Sequence, residues 1–198
     1  MAKQFFIEGR AANGLTYSDY FNNAVKQADS ADISKMGDDE KHMLEYTRLN
    51  IKRSERVDKT YAVSPELQAK LMAITKPQIW MVITEIWCGD SAQNLPYIVK
   101  MAEVNPLINL RIVLRDQNAD IMDEYLTNGT KSIPILVAFD ETGNELFKWG
   151  PRPFEAAELV RNAKAAGKTK DQFIEELHLW YGRNKGAALE SEFIKFLA

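Results

Sequence analysis

The segment Ile83-Thr84-Glu85-Ile86-Trp87-Cys88-Gly89-Asp90-Ser91 decides the reading of this chain. It closes a run of Ile, Val, Trp and Met that starts at Gln78, as expected for a strand buried on both faces. A helical pattern then runs from Ser91 to Val104, with Pro96 inside it to bend it. The one cysteine of the chain, Cys88, stands at the corner between the two. A thiol there meets unpaired backbone N–H groups and the positive end of a helix dipole, which suits a nucleophile.

Downstream, Ile108 to Leu114 reads as a second strand with Arg115-Asp116-Gln117-Asn118 as its exit. A short helix from Asp120 to Leu126 is closed by Asn128-Gly129. Pro134 to Phe139 and Glu145 to Trp149 form a hairpin around Glu141-Thr142-Gly143-Asn144, and Pro153 to Ala166 is helical. This order is a βαβ unit followed by a ββα unit. Right-handed crossover sets the two parallel strands side by side, so one sheet edge collects Cys88, Arg115, Ile133-Pro134 and Trp149-Gly150.

Upstream, Thr16 to Asp29 carries Tyr17, Tyr20, Phe21, Ala24, Val25 and Ala28 on one helix face. A second helix starts at Asp38 or Asp39, carries Met43, Tyr46, Leu49 and Asn50, and runs to about Lys59. Ser64-Pro65-Glu66 starts a third through Leu67, Leu71 and Ile74. After Gly167 an amphipathic tail supplies one or two further helices. The predicted architecture is α/β, with a helical extension over 1–76, a core domain over 77–167 and a helical tail over 168–198.

With 198 residues and 45% hydrophobic content the chain can bury a sizeable core. A net charge of −3 with both signs interspersed argues against nucleic acid and anionic membrane as partners. The apolar stretch near the N-terminus is too short for a secretion signal, and no run is long enough for a membrane span. One cysteine excludes an intramolecular disulfide framework, which makes a reducing cytoplasm the default compartment.

Trp87-Cys88-Gly89-Asp90-Ser91 resembles the Trp-Cys-Gly-Pro-Cys motif of thioredoxins. Pro96, eight positions after the cysteine, matches the family's helix-kinking proline. Ser132-Ile133-Pro134 resembles its cis-proline loop, and Gly150 lies sixteen positions beyond Pro134, as in the family. The likeness spans about 78–166. Asp116-Gln117-Asn118, the run Tyr125 to Thr130 and Trp149-Gly150-Pro151-Arg152-Pro153 are similar to a bacterial thioredoxin-like group with an N-terminal helical extension. The resemblance implies the thioredoxin fold and thiol–disulfide exchange. Two departures bear on that chemistry: Ser91 replaces the second cysteine, and Val82 and Ile112 stand where the family buries an acid and a lysine.

Cys88 is therefore the candidate nucleophile, and Ser91 the residue that hydrogen-bonds its sulfur. The helix dipole and the Asp90 charge nearly cancel, so the thiol is expected to be accessible and only mildly stabilised as thiolate, with a pKa of about 7 to 8.5. The alternative for a lone cysteine is an inert buried residue. Trp87 either packs against the fold or forms an apolar lip, and Asp90 is either a plain helix-start residue or a functional acid. Pro134 either starts a strand or, in a cis linkage, frees the Ile133 backbone to pair with an extended peptide beside Cys88. Gly89, Trp149 and Gly150 complete the candidate substrate surface, and Arg152 and Arg115 are candidates to hold a carboxylate of glutathione or of a substrate. Glu85 places another carboxylate nearby. His42 and His178 lie outside the matched region and have no metal-ligand spacing, and no cofactor is expected.

Two functions compete. In one, Cys88 attacks a disulfide of a protein or peptide partner and an outside thiol such as glutathione resolves the adduct. In the other, the chain is a non-catalytic peptide-binding module. Peroxidase chemistry is disfavoured, because no Thr or Arg arrangement that would activate peroxide is found beside Cys88.

Overall fold

A computed structural model describes residues 2–197. Its centre is a four-stranded mixed sheet in the order β2-β1-β3-β4, built from β1 (Gln78–Thr84), β2 (Ile108–Leu114), β3 (Ile135–Asp140) and β4 (Glu145–Trp149). β1 pairs parallel with β2 and antiparallel with β3, and β3 pairs antiparallel with β4. The helices are α1 (Gln4–Ile7), α2 (Tyr17–Ser30), α3 (Asp38–Thr60), α4 (Pro65–Met72), α5 (Gly89–Ala102), α6 (Ala119–Asp123), α7 (Phe154–Ala165), α8 (Lys170–Asn184) and α9 (Ala187–Phe196).

Strand alternation sorts the core into two layers. Trp80, Val82, Ile112, Leu136 and Ala138 face one side, where they join Leu95, Ile98 and Met101 of α5 and Leu189 and Phe193 of α9. Met81, Ile83, Val113, Ile135, Val137 and Phe139 face the other, against Phe5, Ile121, Met122 and Tyr125. Because both faces are covered, β1 carries an almost unbroken apolar run.

Local signals explain the helix starts. The Thr16 hydroxyl accepts from Asp19 N–H at 3.1 Å, and the Glu40 carboxylate accepts from Gly37 N–H at 2.8 Å. Thr169 and Gln172 bond reciprocally at the start of α8. β2 and β4 have the expected limits, whereas β1 stops at Thr84 rather than Trp87. The chain turns there because Cys88 N–H folds back to the Glu85 carbonyl at 3.1 Å. The inward face of α3 also differs from expectation. Leu44, Asn50, Ser54 and Val57 are buried, while Met43 and Leu49 are exposed.

α3 packs along α5, α8 packs on α7, and α9 packs on α4. Among the described residues, no helix is long and apolar enough to cross a membrane.

Candidate functional site

Cys88 is the N-cap of α5, with extended backbone at φ −78° and ψ 116°. Its Sγ donates to the Ile133 carbonyl at 3.3 Å. That contact shows the thiol and the proline loop facing each other, and the Ile133–Pro134 bond is cis. Gly150 closes that loop from behind. At φ +124°, a Cβ on Gly150 would stand 2.2 Å from the Pro134 carbonyl oxygen, so only glycine fits. Ser91 is sealed in the first turn of α5, where its Oγ accepts from Thr84 Oγ1 at 2.6 Å.

The thiol departs from expectation in two ways. Cys88 is only 8% exposed, packed in the layer that holds Ile83, Val113 and Ile133, rather than outward-facing. Burial pushes the thiol up to about 11, with the Asp90 charge adding to the rise and Ser91 opposing it. Desolvation is the largest of these effects, and a balance of dipole against charge leaves it out.

Asp90 is buried and paired. Its Oδ2 accepts from Arg152 Nε at 3.1 Å and from an Arg152 terminal nitrogen, and its Oδ1 accepts from the Tyr181 hydroxyl at 2.7 Å. Arg152 is thus spent on an internal carboxylate and is not free to grip a substrate's. Arg115 stacks over the half-buried Trp87 ring, 4.7 Å from its centre, and pairs with Asp116. Trp149 lies in the core instead of on the expected surface. It packs against Phe193 and donates Nε1–H to Glu192 Oε2 at 2.6 Å. Glu85, a further carboxyl near the corner, accepts from Asp116 N–H at 2.8 Å and so ties the end of β1 to the end of β2.

Gly89 sits under a roof. A Cβ there would come within 3.0 Å of the Tyr46 hydroxyl and 3.1 Å of the His178 ring. His178 bridges Tyr46 at 3.4 Å and Gln93 at 3.3 Å, and burial, with the nearby Arg53 charge, lowers its pKa to about 4. Asn50, fully buried on α3, donates to the Ile86 carbonyl at 3.1 Å. Sequence reading gave no site role to Tyr46, Asn50, His178 or Tyr181. A polar residue inside the apolar pattern of α3 was the available signal for Asn50; no local pattern announced the others. Among the described residues no cluster of His, Cys, Asp and Glu is arranged to hold a metal.

The structure therefore brings Cys88, Gly89, Asp90, Ser91, Ile133, Pro134, Gly150 and Arg152 together, with Trp87 at the margin beneath Arg115 and Trp149 turned into the core.

Two solved structures share this fold. One is a protein of unknown function from Pseudomonas aeruginosa, 18% identical, with a TM-score of 0.54 over 89% of this chain and 95% of that one. The other is an HIV epitope-scaffold, 16% identical, with a TM-score of 0.54 over 92% of this chain and 98% of that one. No curated protein matches the chain. The family model described as Thioredoxin matches residues 36–165, well over half of the sequence. The cysteine corner, the cis-proline loop facing it and that match together make the chain a member of the thioredoxin family.

Proposed function

We propose that the protein is a single-thiol thioredoxin that exchanges disulfides through Cys88. The observation that carries this reading is the 3.3 Å contact between Sγ and the Ile133 carbonyl at the cis-proline loop, which sets the thiol beside backbone that an extended peptide can pair with. The Cys88 thiolate attacks one sulfur of a partner disulfide. A Cys88–partner disulfide forms, the partner's other sulfur leaves as thiolate, and the thiol proton passes to solvent. An outside thiolate, of glutathione or a second protein, then attacks the mixed disulfide and releases Cys88. With the thiol near 11, about one molecule in ten thousand is thiolate at pH 7, so exchange in this form is slow. In this reading residues 77–167 carry the chemistry, 1–76 and 168–198 are helical additions around it, and a reducing cytoplasm supplies the resolving thiol.

The test is mass spectrometry of the reduced protein after incubation with oxidised glutathione. A stable glutathione adduct on Cys88, absent from Cys88→Ser, supports exchange. A thiol that stays unmodified while the protein remains folded overturns it.

The burial and high pKa of Cys88 favour a second reading, a peptide-binding module whose chemistry has lapsed. Under it, Cys88→Ser captures the same partners as the unaltered protein.

A further inference from the structure

The carboxylate of Asp90 is the most heavily engaged charge near Cys88, and one of its partners comes from the C-terminal tail. Asp90 is the second residue of α5 and 9% exposed. Its two oxygens are divided between Arg152 and the hydroxyl of Tyr181 on α8. The Tyr181 oxygen itself accepts from Asn94 Nδ2 at 3.0 Å, and the same Asn94 amide donates to the Asp90 carbonyl at 2.7 Å. With its oxygen held by a donor, the phenol has one use for its proton, which is Asp90 Oδ1. The ring is thus registered against the first turn of α5, two residues from the sulfur.

A negative charge this close opposes ionisation of the thiol, and donors that share that charge weaken the opposition. We propose that Tyr181 is a positioning residue for Cys88, acting through Asp90: its hydroxyl holds and partly neutralises the carboxylate, and so lowers the repulsion a Cys88 thiolate must overcome. The functional consequence rests on the single-thiol reading above. The charged and titratable groups around the thiol are Asp90 on α5, Arg152 beyond β4, Tyr20 on α2, Glu85 at the exit of β1 and His178 of α8 over the adjacent Gly89. Substitution of Tyr181 leaves the other five in place.

The test is the rate of iodoacetamide alkylation of Cys88 in the folded full chain across pH 7.5 to 9.5, where the rate follows the thiolate fraction. Tyr181→Phe is expected to slow alkylation about threefold, equal to about half a pKa unit. The same change made in an Asp90→Asn background is expected to have no effect. Where Tyr181→Phe does not fold, difluorotyrosine at position 181, a stronger donor of similar size, is expected to speed alkylation. A helix that served only as a roof gives the opposite sign, because loosening it exposes the sulfur. The inference is overturned by Tyr181→Phe alkylation as fast as or faster than the unaltered protein, by slowing that persists without the Asp90 charge, or by difluorotyrosine leaving the rate unchanged. Alkylation needs no partner disulfide, so absence of a glutathione adduct would end the exchange reading without touching this result.

Discussion

Val82 of β1 and Ile112 of β2 are register partners in the parallel pair that leads to Cys88, and both are shut off from water. These are the positions where the family resemblance implies a buried acid and a lysine. An apolar pair there stabilises the sheet by desolvation but carries no proton. These two positions therefore take no part in moving the thiol's proton.

Restoring the second thiol tests how much of the dithiol machinery survives. Ser91 stands three residues after Cys88 in the first turn of α5, the spacing at which the family's motif carries its second cysteine. Ser91→Cys is expected to raise insulin reduction on the order of tenfold, because resolution becomes intramolecular. Insulin turbidity assays check this, and an unchanged rate would show that position 91 cannot reach Cys88.

The buried thiol should weaken the fold at alkaline pH. The thiol ionises near 9 when unperturbed and near 11 in the fold, so the folded chain keeps its proton longer than the unfolded one. This contribution is fully present below pH 9 and is lost as pH rises through 11, on the order of 3 kcal/mol in total. Buried tyrosines such as Tyr17 and Tyr20 are raised as well and act in the same direction. The quantity to measure is therefore the difference between urea unfolding of the unaltered protein and of Cys88→Ala, pH by pH. Parallel curves would refute the assignment.

His178 sets the acid limit. Its pKa falls from 6.5 to about 4 on folding, chiefly through burial against Gly89, Tyr46 and Gln93. Between those values the unfolded chain binds more protons, so stability from the neutral ring is present above pH 6.5 and is lost as pH falls through 4. The loss is on the order of 3 kcal/mol. His178→Gln should flatten the stability profile between pH 6.5 and 4, as read by thermal melts, and an unchanged slope would exclude His178 as the source.

Gly150 tests the loop geometry. Gly150→Ala forces a side chain into positive φ and against the Pro134 carbonyl, and should cost about 2–4 kcal/mol. Urea unfolding reports the loss. A stability change below about 0.5 kcal/mol would mean the loop moves aside freely.

Much of this molecule was legible in the chain because the signals were local. A near-continuous apolar run marked β1 as a strand covered on both faces, helical periodicity marked α2, a Ser-Pro start marked α4, and the cysteine at a strand-to-helix turn marked the corner. Pro134 and Gly150 were recognisable through the family resemblance, whose spacing they match, and the close backbone approach at Gly150 gives the physical reason for that residue. The state of the thiol was not legible, because desolvation depends on what packs around the sulfur.

By itself, then, the sequence determined the order of elements, the sheet and the pairing of Cys88 with the proline loop. Those follow from periodicity, turn chemistry and chain connectivity. Only the tertiary structure decided that the sulfur is buried, that Arg152 is consumed by Asp90, and that Tyr46, His178 and Tyr181 arrive from the two helical ends. These facts depend on contacts between residues up to 132 positions apart, and no periodicity along the chain encodes them.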